Sequence, residues 1–131
     1  MRRQTLLPFI CSVVILLCSA VSSHAADEKP LKILLITSGC CHDYDFQTKS
    51  MQLAFKNAGV AANWTVVNKG GNGTDAQIDF YSDSNWAKDF DVCIHNECFA
   101  KTTDADYIRS ITGPHFEGLP AVVIHCAMHT Y

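Results

Sequence analysis

The chain has 131 residues, 48% of them hydrophobic, and a formal net charge of −3. That length supports one small domain with a single core. Its ten Lys and Arg residues are scattered along the chain, so no basic stripe exists to neutralise a phosphate backbone, and no nucleic-acid partner is predicted.

The first 25 residues have the organisation of a secretory signal peptide. Arg2 and Arg3 form a basic start, residues 6–21 form an apolar run, and small residues up to Ala25 suit a cleavage site. A membrane span needs about 20 predominantly apolar residues, and this run is shorter. We therefore expect cleavage after Ala25, a secreted or periplasmic mature chain, and no stable membrane insertion.

Apolar runs and amphipathic segments alternate after a short polar linker at residues 26–30. The first and last apolar runs are nearly continuous, which is typical of buried parallel strands. The alternation predicts an α/β fold with a doubly wound parallel sheet over residues 31–131. Strands are predicted at residues 31–37, 62–67, 90–96 and 120–125, and helices at residues 46–58, with an N-cap near Asp45, and 104–111.

The last predicted strand, residues 120–125, is made mostly of Val and Ile. A parallel strand of this kind should be covered on both faces, and no helix follows it in the sequence. We therefore expect the domain to be incomplete, with its C-terminal half missing.

A glycine-rich segment at residues 68–74 follows the second predicted strand. A phosphate-binding loop would have to join that strand directly to a helix, and residues 75–85 are not strongly helical. We interpret the segment as a flexible turn.

Five cysteines remain after signal cleavage, which is an odd number. A bridge between the adjacent Cys40 and Cys41 is not expected, because it would be strained, and the sequence assigns no disulfide. Cys93 is interpreted as a small buried hydrophobic residue. The five are Cys40, Cys41, Cys93, Cys98 and Cys126.

Polar residues collect after three of the predicted strands. Because α/β sheets bind ligands at the carboxyl ends of their parallel strands, this clustering predicts an active site at one edge of the sheet. The residues are Ser38, Cys40, Cys41, His42, Asp43 and Tyr44 after the first strand, His95, Asn96, Glu97 and Cys98 after the third, and His125, Cys126, His129 and Thr130 after the fourth.

Two kinds of chemistry suit this edge. The first is a divalent metal site, since imidazole and carboxylate groups are common ligands and a catalytic zinc uses three of them with one position open. His125 and His129 would converge on such a metal only if a helix follows directly. Candidate metal ligands are His42, His95, Glu97, His125 and His129.

The second hypothesis makes Cys126 a nucleophile at a strand-to-helix turn, where a helix amino terminus lowers the pKa of a thiol. Such an elbow usually carries glycine two residues to either side, and those positions are Ile124 and Met128. A buried structural thiol is the alternative for Cys126.

Three segments carry a family resemblance: residues 32–39 with His42 and Asp43, residues 91–100, and residues 118–127. Together they resemble the ThuA-like, or trehalose-utilisation, family over about residues 30–131. The resemblance implies a flavodoxin-like three-layer sandwich similar to that of class I glutamine amidotransferases. Cys126 falls near the nucleophile of that superfamily, but glutaminase activity is not expected, because the remaining triad residues would lie beyond Tyr131.

The resemblance also implies a role in the metabolism of trehalose, related disaccharides or their keto derivatives, with a small carbohydrate as ligand. The reaction stays open between a hydrolase, with or without a metal, an isomerase and a non-catalytic sugar-binding module. No cofactor is predicted beyond a divalent metal. Candidate catalytic residues are His42, His95, Glu97, His125 and Cys126, and candidate substrate-binding residues are Asp43, Tyr44, Asn96 and His129.

Overall fold

A computed structural model of the protein describes residues 29–131, so the predicted signal peptide and its cleavage site lie outside the described residues. Within residues 29–131, no helix has the length and apolar character needed to cross a membrane. The main elements are β1 (Leu31–Gly39), α1 (Tyr44–Asn57), β2 (Ala62–Asn68), β3 (Val92–Cys98), α2 (Ala105–Phe116) and β4 (Ala121–Val123), with short 3-10 helices at Asp79–Ser82 and His125–His129.

The four strands form one parallel sheet in the order β2-β1-β3-β4. The predicted α/β class and the parallel sheet are therefore confirmed. The chain places β2 on one side of β1 and then returns to place β3 on the other side. The carboxyl ends of β1 and β3 flank the point where strand order reverses, which is where sheets of this kind bind ligands.

Successive side chains of a strand point to opposite faces of the sheet. In β1 the side chains on both faces are buried. Ile33 and Leu35 pack with Ile94 and with α1 on one face. Leu34 and Ile36 face the other cluster, on the side of α2. This second cluster includes Tyr81, Trp86, Phe99 and Ile111.

The predicted start of the first helix was wrong by two residues. α1 begins at Tyr44, and its N-cap is Asp43 rather than Asp45. The Asp43 carboxylate accepts a hydrogen bond from the backbone N–H of Phe46 at 2.9 Å, as N-cap side chains do. The helix ends at Asn57, one residue before the predicted end, and Gly59 has the left-handed φ of +72° expected at the C′ position.

The predicted end of the second helix at Ile111 was also wrong, because α2 continues through Gly113 and Pro114 to Phe116. Proline lacks the N–H that would bond to the carbonyl four residues earlier, that of Ser110. The indole Nε1 of Trp86 donates to that carbonyl at 2.9 Å instead. A tertiary contact thus compensates for the missing hydrogen bond within the helix.

All four strands differ from the prediction in their bounds, since β1 extends to Gly39 and β2 to Asn68. β3 begins two residues later and extends to Cys98, because its pairing with β1 continues to Gly39. β4 ends at Val123, and His125 adopts a left-handed φ of +38° that starts a 3-10 turn. His95, Asn96 and Glu97 therefore lie within a strand rather than after it.

Candidate functional site

Three of the predicted residues meet at the carboxyl edge of the sheet and form what we call the thiol–imidazole site: His42, His125 and Cys126. His42 follows β1, whereas His125 and Cys126 follow β4. His42 Nε2 lies 3.0 Å from Cys126 Sγ, and His125 Nδ1 lies 3.1 Å from it. The two imidazole rings stand edge to face, with centroids 5.6 Å apart, and both are exposed to solvent.

The chemistry of this site suits a metal ion. All three donor atoms lie within 4.8 Å of one another, and two imidazole nitrogens with one thiolate are ligand types that zinc favours. The groups in this part of the protein could therefore hold a divalent metal.

A second set of sulfur atoms, the cysteine group of Cys40, Cys41 and Cys98, lies beside the first site. The expectation that no bridge joins Cys40 and Cys41 was wrong, because the two form a disulfide. The tight turn after β1 makes this possible, with a left-handed φ of +83° at Cys41. Cys98 remains a thiol, and its sulfur lies 3.5 Å from that of Cys40.

Gly39 lets β1 and β3 approach closely enough to create this contact. Its φ is +99°, and a Cβ atom added there would lie 2.3 Å from the carbonyl oxygen of Cys98. Any side chain at this position would push the two strand ends apart. Gly39 therefore determines the distance between Cys40 and Cys98.

The loop around the cysteine group is anchored by buried polar contacts. The Tyr44 hydroxyl donates to the carbonyl of Cys40 at 2.7 Å. Burial, followed by the nearby Cys98 and Cys126, raises the pKa of Tyr44 to about 12. Burial and then the neighbouring Cys126 side chain also raise the pKa of Cys98. Tyr44 thus remains a neutral donor at physiological pH.

The glycine-rich turn supports β1 from the other side. The carbonyl of Gly71 accepts hydrogen bonds from the Ser38 hydroxyl and the Gly39 N–H, each at 2.9 Å. Gly70 packs against the Phe99 ring, where an added Cβ would approach within 2.7 Å of a ring carbon. The turn therefore packs against the strand end as a structural support.

Thr130 connects β3 to the turn that carries Cys126. Its hydroxyl lies 2.9 Å from the carbonyl of Glu97 and 3.2 Å from that of Cys126, and it accepts from the N–H of Phe99 at 3.2 Å. One hydroxyl proton serves the two carbonyls. This contact fixes the turn against the end of the sheet.

A separate cluster, the buried histidine network, contains His95, Glu97 and His115. His95 Nδ1 lies 2.8 Å from Glu97 Oε1, and His95 Nε2 lies 3.0 Å from His115 Nε2. His115 Nδ1 lies 2.8 Å from the carbonyl of Leu119. Burial lowers the pKa of His115, and a smaller opposing contribution comes from its bond to Leu119.

The hydrogen bonds of this network determine where its protons lie. A carbonyl only accepts, so His115 Nδ1 carries the proton donated to Leu119, and Nε2 of the neutral ring is an acceptor. His95 must then donate to it from Nε2. A single further proton lies between His95 Nδ1 and Glu97, and it makes the pair either an imidazolium with a carboxylate or a neutral imidazole with a carboxylic acid.

Geometry alone would also allow a metal at a third group, formed by Cys93, His95 and His115. The nitrogen atoms there are already engaged in hydrogen bonds, and burial followed by the nearby Glu97 raises the pKa of Cys93. Cys93 is completely buried, which confirms its interpretation as a small hydrophobic residue.

A cavity of about 290 Å³, lined mainly by apolar side chains of α2 and β4, borders His95 and Glu97.

None of the remaining candidate residues contributes a donor atom to the thiol–imidazole site, although the Tyr44 ring packs edge to face against that of His42 with centroids 5.9 Å apart. Asp43 caps α1, and the side-chain amide of Asn96 donates to Gln47 at 2.9 Å. His129 is exposed at the end of the 3-10 helix. A 3-10 helix has three residues per turn, so residues four apart do not share a face, and His129 is not brought to His125.

The sequence placed Cys40, Cys41 and Cys98 at this edge of the sheet but predicted no contact between them, and it did not single out His115. The adjacent cysteines were visible in the sequence, but their pairing depends on the left-handed turn at Cys41. His115 was missed because it lies in the part of α2 beyond the predicted helix end.

The fold and the site define an α/β protein whose four-stranded parallel sheet carries thiols and imidazoles at its carboxyl edge. No family model matches the chain, and neither a curated protein nor a solved structure is significantly similar to it.

Proposed function

We propose that the chain is an exported carbohydrate-processing enzyme, a hydrolase or isomerase, in which His42, His125 and Cys126 hold a catalytic zinc ion. The observation that carries the proposal is the convergence of His42 Nε2 and His125 Nδ1 on Cys126 Sγ, at 3.0 and 3.1 Å. His42 lies near one end of the described chain, and the adjacent residues His125 and Cys126 lie near the other. The fold brings them together.

The distances at the site are compatible with zinc after a small adjustment. Zinc binds sulfur at about 2.3 Å and imidazole nitrogen at about 2.0–2.1 Å, so tetrahedral geometry separates the two donor atoms by about 3.5 Å. The nitrogens would need to move outward by about half an ångström. Both rings are exposed, and neither is held in place by the core.

A metal accounts for the site better than a Cys-His-acid triad does. A triad needs one imidazole on the thiol and an acid that orients the imidazole. Within residues 29–131, no carboxylate is hydrogen-bonded to His42 or His125, and both imidazoles face the same sulfur. Three protein ligands leave a fourth zinc position for water or a substrate oxygen, where the metal polarises a carbonyl or activates water.

The fold and the sequence resemblance favour a carbohydrate substrate. The strand order is that of the first four strands of a flavodoxin-like sheet, as the ThuA-like resemblance implies, and the site lies at its reversal point. A keto sugar presents a carbonyl and adjacent hydroxyl groups, which suit a zinc ion surrounded by polar side chains. The predicted signal peptide directs the activity outside the cytoplasm.

The metal is tested by elemental analysis of the full-length protein purified without a metal-affinity step. We expect one zinc per chain, and a loss of at least tenfold in zinc affinity for His42→Ala, His125→Ala and Cys126→Ser. His129→Ala is the matched control, because it removes an exposed imidazole from the same turn and should retain full affinity. A protein that is active without metal contradicts the proposal.

The substrate class is tested by assaying the zinc-loaded protein on trehalose, related disaccharides and their 3-keto derivatives. Turnover that is lost in the zinc-deficient variants and retained in His129→Ala supports the enzyme. Sugar binding with no turnover in any of these assays contradicts it and leaves a binding module.

A further inference from the structure

The cysteine group combines a disulfide with a free thiol in contact with it. Cys98 Sγ lies 3.5 Å from Cys40 Sγ, which is itself bonded to Cys41 Sγ. Only one of the three sulfur atoms therefore carries a proton. A thiol and a disulfide at this separation are the two reactants of thiol–disulfide exchange.

We propose that Cys40, Cys41 and Cys98 form an internal thiol–disulfide exchange site. The Cys98 sulfur, after losing its proton to water, attacks Cys40, so that a Cys40–Cys98 bond forms and the Cys40–Cys41 bond breaks. The electron pair of the broken bond leaves on Cys41, which takes up a proton from water. One disulfide and one thiol are present before and after the step, so no external oxidant or reductant is needed.

The structure favours Cys40 over Cys41 as the sulfur attacked. Cys40 is the disulfide sulfur in contact with Cys98, and the paired strands hold their two backbones together, since Gly39 lies opposite Cys98 in the register. Disulfides join residues whose Cα atoms are usually about 4.4–6.8 Å apart. The Cα atoms of Cys40 and Cys41 are 3.7 Å apart, as expected of consecutive residues, so a bridge between them falls below that range, whereas a bridge to Cys98 joins neighbouring strands.

Backbone conformation also favours opening the bond between the adjacent residues. Cys41 has a φ of +83°, and a residue other than glycine stays in the left-handed region only where its surroundings hold it there. The bond to Cys40 is one of the constraints that hold it. Exchange removes that constraint on Cys41 and on the loop that leads to His42.

The exchange moves the reactive thiol from the interior to the surface. Cys98 is 7% exposed, whereas Cys41 is exposed to solvent. The predicted product therefore presents a thiol that external reagents and partner thiols can reach. This inference does not depend on the proposed metal site, and its test does not use metal content or turnover.

The experiment is alkylation of the native, unreduced full-length protein with iodoacetamide, followed by mass-spectrometric mapping of each cysteine and each disulfide. We expect alkylation at Cys41 together with a peptide linked through Cys40 and Cys98. In Cys98→Ser the labelling of Cys41 should fall at least tenfold. Cys93→Ala removes another buried thiol of β3 and should behave as the wild type does.

Alkylation of Cys98 with the Cys40–Cys41 bridge intact would overturn the proposal. So would equal labelling of Cys41 in the wild type and in Cys98→Ser, since another thiol would then be the attacking group. If Cys98→Ser does not fold, a time course of the wild-type peptide map decides alone, because exchange requires the Cys40–Cys98 linkage to increase as the Cys40–Cys41 linkage decreases and Cys41 becomes alkylated. Absence of that linkage after prolonged alkylation contradicts the proposal.

Discussion

The two histidine clusters of this protein are built from similar residues and differ in what surrounds them. In the thiol–imidazole site, His42 and His125 are exposed and share one sulfur atom as a partner. In the buried histidine network, His95 is 7% exposed and both of its nitrogens face fixed partners. The exposed cluster has donors that a ligand could take over, whereas the donors of the buried cluster are already used.

This contrast separates binding from structural support. An exposed imidazole can give up its contact with the Cys126 sulfur and bind a metal at little cost in free energy. Water and other solvent-facing groups replace the contact that is lost. A buried group cannot lose its hydrogen-bond partner without a penalty in the free energy of unfolding. We therefore expect mutations in the buried histidine network to change stability, and mutations in the thiol–imidazole site to change zinc binding.

The largest effect is expected at Gly39, which lies where β1 and β3 approach each other closely. Gly39→Ala introduces a Cβ 2.3 Å from the carbonyl oxygen of Cys98 at a φ of +99°. Strain and overpacking together should lower the free energy of unfolding by about 4 kcal/mol, as measured by chemical denaturation.

The matched control is Gly71→Ala. Gly71 has a φ of +73°, but no atom lies within 4 Å of the added Cβ. Its cost should be about 1 kcal/mol, from the left-handed conformation alone. Equal losses for the two variants would show that the close approach of β1 and β3 contributes nothing to stability.

The next effect concerns the buried histidine network. Glu97→Ala leaves His95 without its carboxylate partner, and Glu97 is only 1% exposed. Leaving a buried group without its hydrogen-bond partner typically costs about 1–3 kcal/mol, and more when the group is charged. Denaturation should show that loss while the zinc content stays at that of the wild type. Loss of zinc with unchanged stability would reverse the assignment of the two clusters.

A smaller effect is expected at Asp43, which directly follows His42 of the thiol–imidazole site. Asp43→Ala removes the N-cap of α1, which should cost about 1 kcal/mol of stability. Asp43→Ser should restore most of it, because serine also caps helices. If substrate affinity falls in both variants while stability recovers in Asp43→Ser, Asp43 contacts the substrate in addition to capping the helix.

The smallest effect is a pH dependence within the buried histidine network. Burial lowers the pKa of His115 below its ordinary value of 6.5, so near and below pH 6.5 the unfolded chain binds more protons than the folded chain. The contribution of His115 to stability is therefore full above pH 6.5 and is lost as the pH falls through its folded-state pKa.

His115→Gln should flatten this part of the curve of unfolding free energy against pH. The exposed His129 provides the comparison, and His129→Gln should leave the curve unchanged. A curve for His115→Gln that is as steep as that of the wild type would show that another group is responsible.

Much of the fold was predictable because it depends on local patterns. The continuous apolar run of β1 and the alternation of strands and helices were sufficient to predict a parallel α/β sheet. The end of α2 was not predictable, because Pro114 normally ends or kinks a helix. Its continuation depends on Trp86, a residue 28 positions earlier in the sequence, which bonds to the free carbonyl of Ser110.

The site was predictable as a region and not as a set of contacts. Strand direction brought His42 and Cys126 to the same edge, but which of the candidate side chains touch depends on turns that no local pattern specifies. The left-handed backbone of His125 brings its imidazole next to Cys126. Pairing of β1 with β3 as far as Gly39 brings Cys98 to Cys40.

The central claim is that one sulfur and two imidazoles bind the metal, and X-ray absorption at the zinc edge of the zinc-loaded protein tests it most directly. The account predicts one sulfur neighbour at about 2.3 Å and three nitrogen or oxygen neighbours near 2.0–2.1 Å. The sulfur contribution should disappear in Cys126→Ser and remain in Cys93→Ala. A first shell with three or four sulfur atoms would place the metal on the cysteine group, and a shell with none would remove Cys126 from the site; either result contradicts the account.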